Sequence, residues 1–180
     1  MFILCILLAL LSWSPLAFAA SAQYRQFGTG QTYTDGGSGE VTMTTANVTT
    51  SNGRVSAQRD WGSGAQPFRY CIWCTFQVAS APTVGNVFEI YAAVSDGTNQ
   101  TGEVGTSDAG LSSDKRNNLL WLFNVLVDQT STNTDMTGGR CLEIPARFWS
   151  LAYWNASGVT TRNTAGSSFC EVIPYYFESQ

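Results

Sequence analysis

Thirteen carboxylates, five cysteines and no histidine define the chemistry open to this 180-residue chain. The missing histidine removes the commonest general base, the partner of a catalytic serine, and most zinc and iron ligand sets. Chemistry built on carboxylates alone survives that filter. Glycoside hydrolysis is the leading case, because it needs two carboxyl groups about 5 to 10 Å apart in a cleft. Glu89, Glu143 and Glu171 fall inside apolar runs and are the acids that could project into one. Each also fits the solvent-facing slot of an alternating strand, which is the simpler reading. Asp96, Asp108 and Asp114 offer hard oxygen ligands of the kind calcium takes. Their spacing matches neither an EF-hand loop nor a repeat-type calcium site, so no metal is expected. Asn47-Val48-Thr49, Asn99-Gln100-Thr101 and Asn155-Ala156-Ser157 match the N-glycosylation sequon. Chance alone supplies such triplets in a chain rich in Ser, Thr and Asn. No activated nucleophile or phosphate-binding loop is visible. The chain reads as non-enzymatic, with no cofactor.

Cys71 and Cys74 stand in CIWC, a spacing shared with redox and zinc motifs. Here it lies inside the alternating run PFRYCIWCTFQVA, and residues three apart on a strand point to opposite faces. These two thiols therefore suit neither a shared metal nor a bond to each other. With Cys141 and Cys170 they make an even set outside the first twenty residues, which permits two disulfides in three pairings. Buried free thiols are the expectation, with disulfides among Cys71, Cys74, Cys141 and Cys170 as the alternative.

The chain is 44% hydrophobic and 13% aromatic but only 12% charged, with a net charge of −4. Soluble domains run at about a quarter charged, so this surface is made of uncharged polar residues or lies against something else. Nine scattered basic residues form no stripe able to neutralise phosphates, which argues against a nucleic-acid partner. Residues 1–20, MFILCILLALLSWSPLAFAA, carry an apolar run and Ala17-Phe18-Ala19 in the small-x-small pattern of a signal cleavage site. No Lys or Arg precedes Arg25, so the positive leading region of a secretory signal is absent. A secretory signal is the leading expectation; a retained apolar arm, buried in an assembly or in contact with a membrane, and a spurious upstream start are the alternatives.

Residues 21–40 carry five glycines and no apolar period, and read as an extended arm or linker. Beyond them, short apolar runs alternate with turn formers, the all-β pattern. Strands are expected at 41–50, 67–79, 86–95, 119–128, 140–154 (broken by Pro145) and 168–178, with a weaker one at 53–61. The stretch 99–118 is a polar loop with room for a turn of helix near 108–116. The fold class expected is all-β: an antiparallel β-sandwich of jelly-roll type over 41–180, with an extended N-terminal arm.

Several of these strands are apolar on both faces. In 147–154, Trp149, Leu151 and Tyr153 share one face, and Phe148, Ala152 and Trp154 the other. Residues 119–127 and 169–177 behave alike. An antiparallel strand with one wet face should alternate with polar residues, so partner subunits are expected to dry the second face. Trp121, Phe123, Trp149, Tyr153, Trp154, Tyr175 and Tyr176 are the candidates for that subunit interface, and the chain is expected to be a homo-oligomer.

The phrases WGSGAQPFRYCIWCTF, APTVGNVFEIYAAVSDGT, DAGLSSDKRNNLLWLFNVLV, IPARFWSLAYWNASG and PYYFESQ occur in that order over about two-thirds of the chain. This succession resembles small structural proteins of tailed bacteriophages. The resemblance implies a virion component of head-decoration or cement type, or a surface fibre or tail part. It also implies a trimer or other multimer that contacts the major capsid protein or neighbouring structural subunits. The other reading is a secreted β-sandwich that binds carbohydrate, with Trp61, Trp149 or Trp154 as stacking platforms.

Overall fold

Most of the short apolar-rich runs become strand. The computed structural model describes residues 23–35, 40–62 and 69–179. Its strands are β1 (Gln23–Phe27), β2 (Gln31–Thr34), β3 (Val41–Thr42), β4 (Asn52–Val55), β5 (Arg59–Asp60), β6 (Arg69–Phe76), β7 (Val87–Ser95), β8 (Ala109–Leu111), β9 (Leu120–Leu126), β10 (Met136–Glu143), β11 (Phe148–Ala156) and β12 (Phe169–Ser179). A 3-10 turn (Thr101–Glu103) and one short helix, α1 (Ser113–Arg116), interrupt the series.

The strands form two sheets. The first runs β10-β6-β12-β2-β3, with β1 on the C-terminal half of β12. The second runs β8-β4-β11-β7-β9, with β5 beside the start of β11. Neighbours are antiparallel except β2 and β3. This is a β-sandwich.

The inward residues of the two sheets meet as period two demands. From β6 come Tyr70, Ile72, Cys74 and Phe76, all fully buried; from β11 come Trp149, Leu151 and Tyr153. Phe76 stacks on Phe88 of β7 at 4.2 Å and tilts against Tyr153 at 5.1 Å, so rings bridge the two sheets directly. Burying such side chains is worth about 1.5–3 kcal/mol each relative to exposure, which makes this layer the main source of stability.

Strand β9 departs from simple alternation. Ile90 pairs with Phe123 but Tyr91 pairs with Trp121, which leaves Leu122 as the extra residue of a bulge. Leu122 and Phe123 are therefore both buried, while Trp121 turns outward. Across the sandwich edge, β10 approaches β9 so closely that a Cβ on Gly138 would sit 3.2 Å from Val125 Cα. Glycine is what lets the seam close there.

The four cysteines form two disulfides, Cys71–Cys141 and Cys74–Cys170, in place of the expected free thiols. Cys71 stands directly opposite Cys141 of β10, and Cys74 directly opposite Cys170 of β12. The strand geometry that keeps Cys71 and Cys74 apart is what aims each at a different neighbour. Cys74 and Cys170 lie in the core; Cys71 and Cys141 lie on the outer face, with Cys141 exposed.

Other expectations are corrected by the topology. Within the supposed arm, Gln23–Phe27 and Gln31–Thr34 are strands of the first sheet. Tyr33 is fully buried, so one ring anchors this Gly-rich segment in the core. The strand expected at 41–50 shortens to Val41–Thr42, because Asn47 and Ser51 take positive φ in the turns that follow. Pro145 does divide its segment, into β10 and β11. The expectations for residues 1–20 lie outside the described residues; among those described, no helix is long and apolar enough to cross a membrane.

Candidate functional site

The outer face of the second sheet is dried by the chain itself. Val55, Ala93, Ala152 and Trp154 project outward from β4, β7 and β11, and Val104, Leu111 and Leu119 from the 96–119 excursion close over them. Two polar clamps hold that excursion down. Arg116 reaches from α1 to Glu89 (3.0 Å) and lays its guanidinium over the Trp154 ring at 4.5 Å, while Tyr91 donates to the same Glu89 oxygen. At the other end, Arg54 pairs with Asp108 at 2.8 Å, and Asp108 also accepts from the backbone and hydroxyl of Thr44. The stretch 99–118, expected as a polar loop with room for a turn of helix, is thus a lid carrying β8, α1 and the buried Val104 and Leu111, with Leu119 just beyond it.

The interface candidates separate accordingly. Phe123, Trp149 and Tyr153 are core residues, and Trp154 is under the lid, so these four are corrected: packing within the chain dries them. Trp121 is 51% exposed and Tyr176 38% exposed, so both are accessible. Tyr175 is half-buried with its ring 6.1 Å from that of Phe27.

The outer face of the first sheet has no such lid among the described residues. Trp73, Phe169 and Phe27 are exposed there, beside Ile173 and the Cys71–Cys141 bond. Trp73 lies across the backbone of Gly139, its directly paired residue, and a side chain at 139 would collide with the indole. The result is an apolar stripe crossing β6 and β12, with a second exposed group, Trp121 and Leu126, on edge strand β9. Sequence reasoning missed Trp73, Phe27 and Phe169. Trp73 was marked by its place in CIWC, two residues from Cys71 and therefore on the same face.

The carboxylates do not converge. Glu89 sits under the lid clamp on the second sheet; Glu143 pairs with Arg69 at 2.7 Å and Glu171 is exposed, both on the outer side of the first sheet. Asp96 caps its own turn by accepting from the N–H groups of Thr98 and Asn99, and Asp108 is engaged by Arg54. Among the described residues no three His, Cys, Asp or Glu side chains are grouped to hold a metal ion.

Two acids report on acid stability. Burial pushes the Asp35 carboxyl up, but donation from the Thr45 hydroxyl and from the N–H groups of Ala46, Thr45 and Gly166 outweighs it and holds the pKa below the usual value. Asp60 falls to about 2, chiefly because Arg147 grips it, with the Gly62 N–H assisting. A depressed carboxylate stabilises the fold above its unfolded pKa and loses that contribution as pH falls through the folded one. Urea midpoints should therefore hold down to about pH 4 and then fall toward pH 2. Asp35→Asn should flatten that slope; an unchanged slope would remove Asp35 from the account.

No protein-family model matches the chain, and no curated protein is similar to it.

Proposed function

We propose that this chain is a non-enzymatic jelly-roll subunit of a bacteriophage virion, of decoration or cement type, which works by packing against copies of itself and against neighbouring virion proteins. The observation that carries the reading is the contrast between the two outer faces. One is sealed by the chain's own lid, and the other, among the described residues, leaves Trp73, Phe169, Phe27 and Ile173 without such a cover. Contiguous exposed apolar surface of this kind marks a contact surface.

The pairing scheme supports the jelly-roll assignment. β2 pairs with β12, β4 with β11, β6 with β10 and β7 with β9, so that early strands meet late ones in nested order. The nest then folds across two sheets, where β12 also meets β6 and β11 also meets β7. Eight strands in two antiparallel sheets are the jelly-roll plan.

Light scattering on the full chain after size exclusion tests the assembly. A trimer or larger species is expected, and Trp73→Glu should shift it toward monomer. A stable monomer at working concentration would remove the reading.

The second reading, a secreted carbohydrate-binding sandwich, is favoured by the two disulfides, which persist in oxidising compartments. Two of its three platforms, Trp149 and Trp154, are buried. Mass spectrometry of the native protein separates the two: a mature start near Ser21 in a secreted fraction favours this reading, and Met1 retained in purified virions favours the first.

A further inference from the structure

Seven buried side-chain nitrogen or oxygen atoms make no well-formed hydrogen bond among the described residues, and five belong to one cluster. They are Tyr33 Oη, Arg59 Nε, Trp61 Nε1, Tyr70 Oη and Trp149 Nε1. Ring contacts tie their side chains together. Trp61 stacks on Trp149 at 5.3 Å, Tyr70 meets both rings edge-on at 4.9 and 5.1 Å, and Tyr33 stacks on Trp149 at 6.4 Å. The Arg59 guanidinium lies over Trp61, 5.0 Å from the ring centroid.

A folded protein rarely leaves buried polar atoms unpaired, because each costs about 1–3 kcal/mol. Trp149 acts on the Tyr70 hydroxyl as a donor, which leaves Tyr33 Oη, Arg59 Nε and Trp61 Nε1 without a partner, and of these residues Arg59 and Trp61 reach the surface. The chemistry of a partner from outside the chain follows from the inventory: Arg59 Nε and the Trp61 indole nitrogen are donors only, so the partner must accept. Its charge follows from Arg59, which has no carboxylate within ion-pair distance among the described residues. The adjacent Asp60 is committed, with its two oxygens taken by Arg147 at 2.8 and 2.7 Å and the Gly62 N–H on one of them.

Two members of the cluster, Arg59 and Trp61, line a surface recess of about 370 Å³ together with Asp60, Gln31, Pro174 and Tyr176, while Tyr33, Tyr70 and Trp149 stay fully buried. That volume is the lower end of the size range for small-molecule sites. Burial pushes the Tyr70 hydroxyl up to about 12 and raises that of Tyr33 as well, so both keep a proton to donate at neutral pH.

We propose that this recess binds a small carboxylate-bearing ligand, with the Arg59 guanidinium holding the carboxylate and Trp61 and Tyr176 walling the body of the molecule. A guanidinium suits a planar carboxylate because it can donate two parallel hydrogen bonds. The site does not depend on the assembly reading. Along β12, Pro174 and Tyr176 point to the side opposite Ile173 and Tyr175, away from the open sheet face.

The test is titration of the full chain with glucuronate, acetate, glucose and inorganic phosphate, followed by tryptophan fluorescence and calorimetry. Saturable binding is expected for the two carboxylates, with glucose and phosphate weaker by about tenfold or more. Glucuronate binding more tightly than acetate would identify an acid sugar, and equal affinities would identify the carboxylate alone as the group recognised. Arg59→Gln should weaken glucuronate by about tenfold or more with the thermal midpoint retained. If Arg59→Gln unfolds, Arg59→Lys decides, since it keeps the charge but loses the fork and should bind several-fold more weakly. The proposal is overturned if neither carboxylate saturates, which would leave ordered water as the partner of the orphaned atoms. It is also overturned if glucose or phosphate matches glucuronate, or if the folded Arg59 variant binds unchanged.

Discussion

Replacing Cys74 and Cys170 together by alanine is expected to lower the unfolding free energy by about 3 to 4 kcal/mol. The bond joins β6 to β12 across a sequence separation of 96, and the second bond joins β6 to β10 across 70. Each loop alone would be worth more, but the two overlap. With Cys71–Cys141 in place, the loop that Cys74–Cys170 still has to close is only roughly 30 residues long, which trims its effect. The core position adds to the loss, since Cys74 and Cys170 contribute buried surface among Ile72, Phe76 and Val172. Urea denaturation followed by tryptophan fluorescence measures the change. A loss below about 1 kcal/mol would mean that the two thiols are not bonded in the native chain.

Trp149→Ala is expected to cost about 3 to 5 kcal/mol, the range for removing a large aromatic ring from a core. Its ring is fully buried and touches those of Tyr33 on β2, Tyr70 on β6 and Trp61 just after β5, so the cavity left behind would be walled by rings held on separate segments and cannot easily collapse. Trp121→Ala is the internal comparison. That ring is 51% exposed on an edge strand and should change stability by less than about 0.5 kcal/mol in the monomer. Parallel denaturation curves with near-ultraviolet dichroism read both. If Trp149→Ala cost no more than Trp121→Ala, the assignment of Trp149 to the core would fail.

These two residues also mark what was legible in the sequence. Strand positions were readable because short apolar-rich runs are set off by turn formers, and the break at Pro145 was readable because proline cannot donate to a ladder. The doubly apolar character of 147–154 was visible too. What dries its outer side was not, because the 96–119 excursion contributes Val104, Leu111 and Leu119 one at a time from a segment dominated by polar residues. Such isolated contacts have no period. The bulge at Leu122 hid a second point: strict alternation puts Trp121 and Phe123 on one face, and the extra residue sends them to opposite ones. Disulfide partners depend on the register of β6 against β10 and β12, a long-range property that spacing within CIWC does not encode. The cluster around Arg59 was equally hidden. It gathers Tyr33, Arg59, Tyr70 and Trp149 from four strands, and the Gly-rich context of Tyr33 argued against any strand there.

The nested order of pairing bears on how the chain comes into being. A strand cannot form a ladder before its partner has been synthesised. β2, β4 and β6 take antiparallel partners from β12, β11 and β10, all of which follow residue 135. Before then the growing chain can pair β2 with β3, β4 with β8 and β7 with β9, but β6, central to the first sheet, must wait unpaired until β10 and β12 have been made. Completion of both sheets is thereby deferred until β10, β11 and β12 have been made, with closure of long loops as its entropic cost.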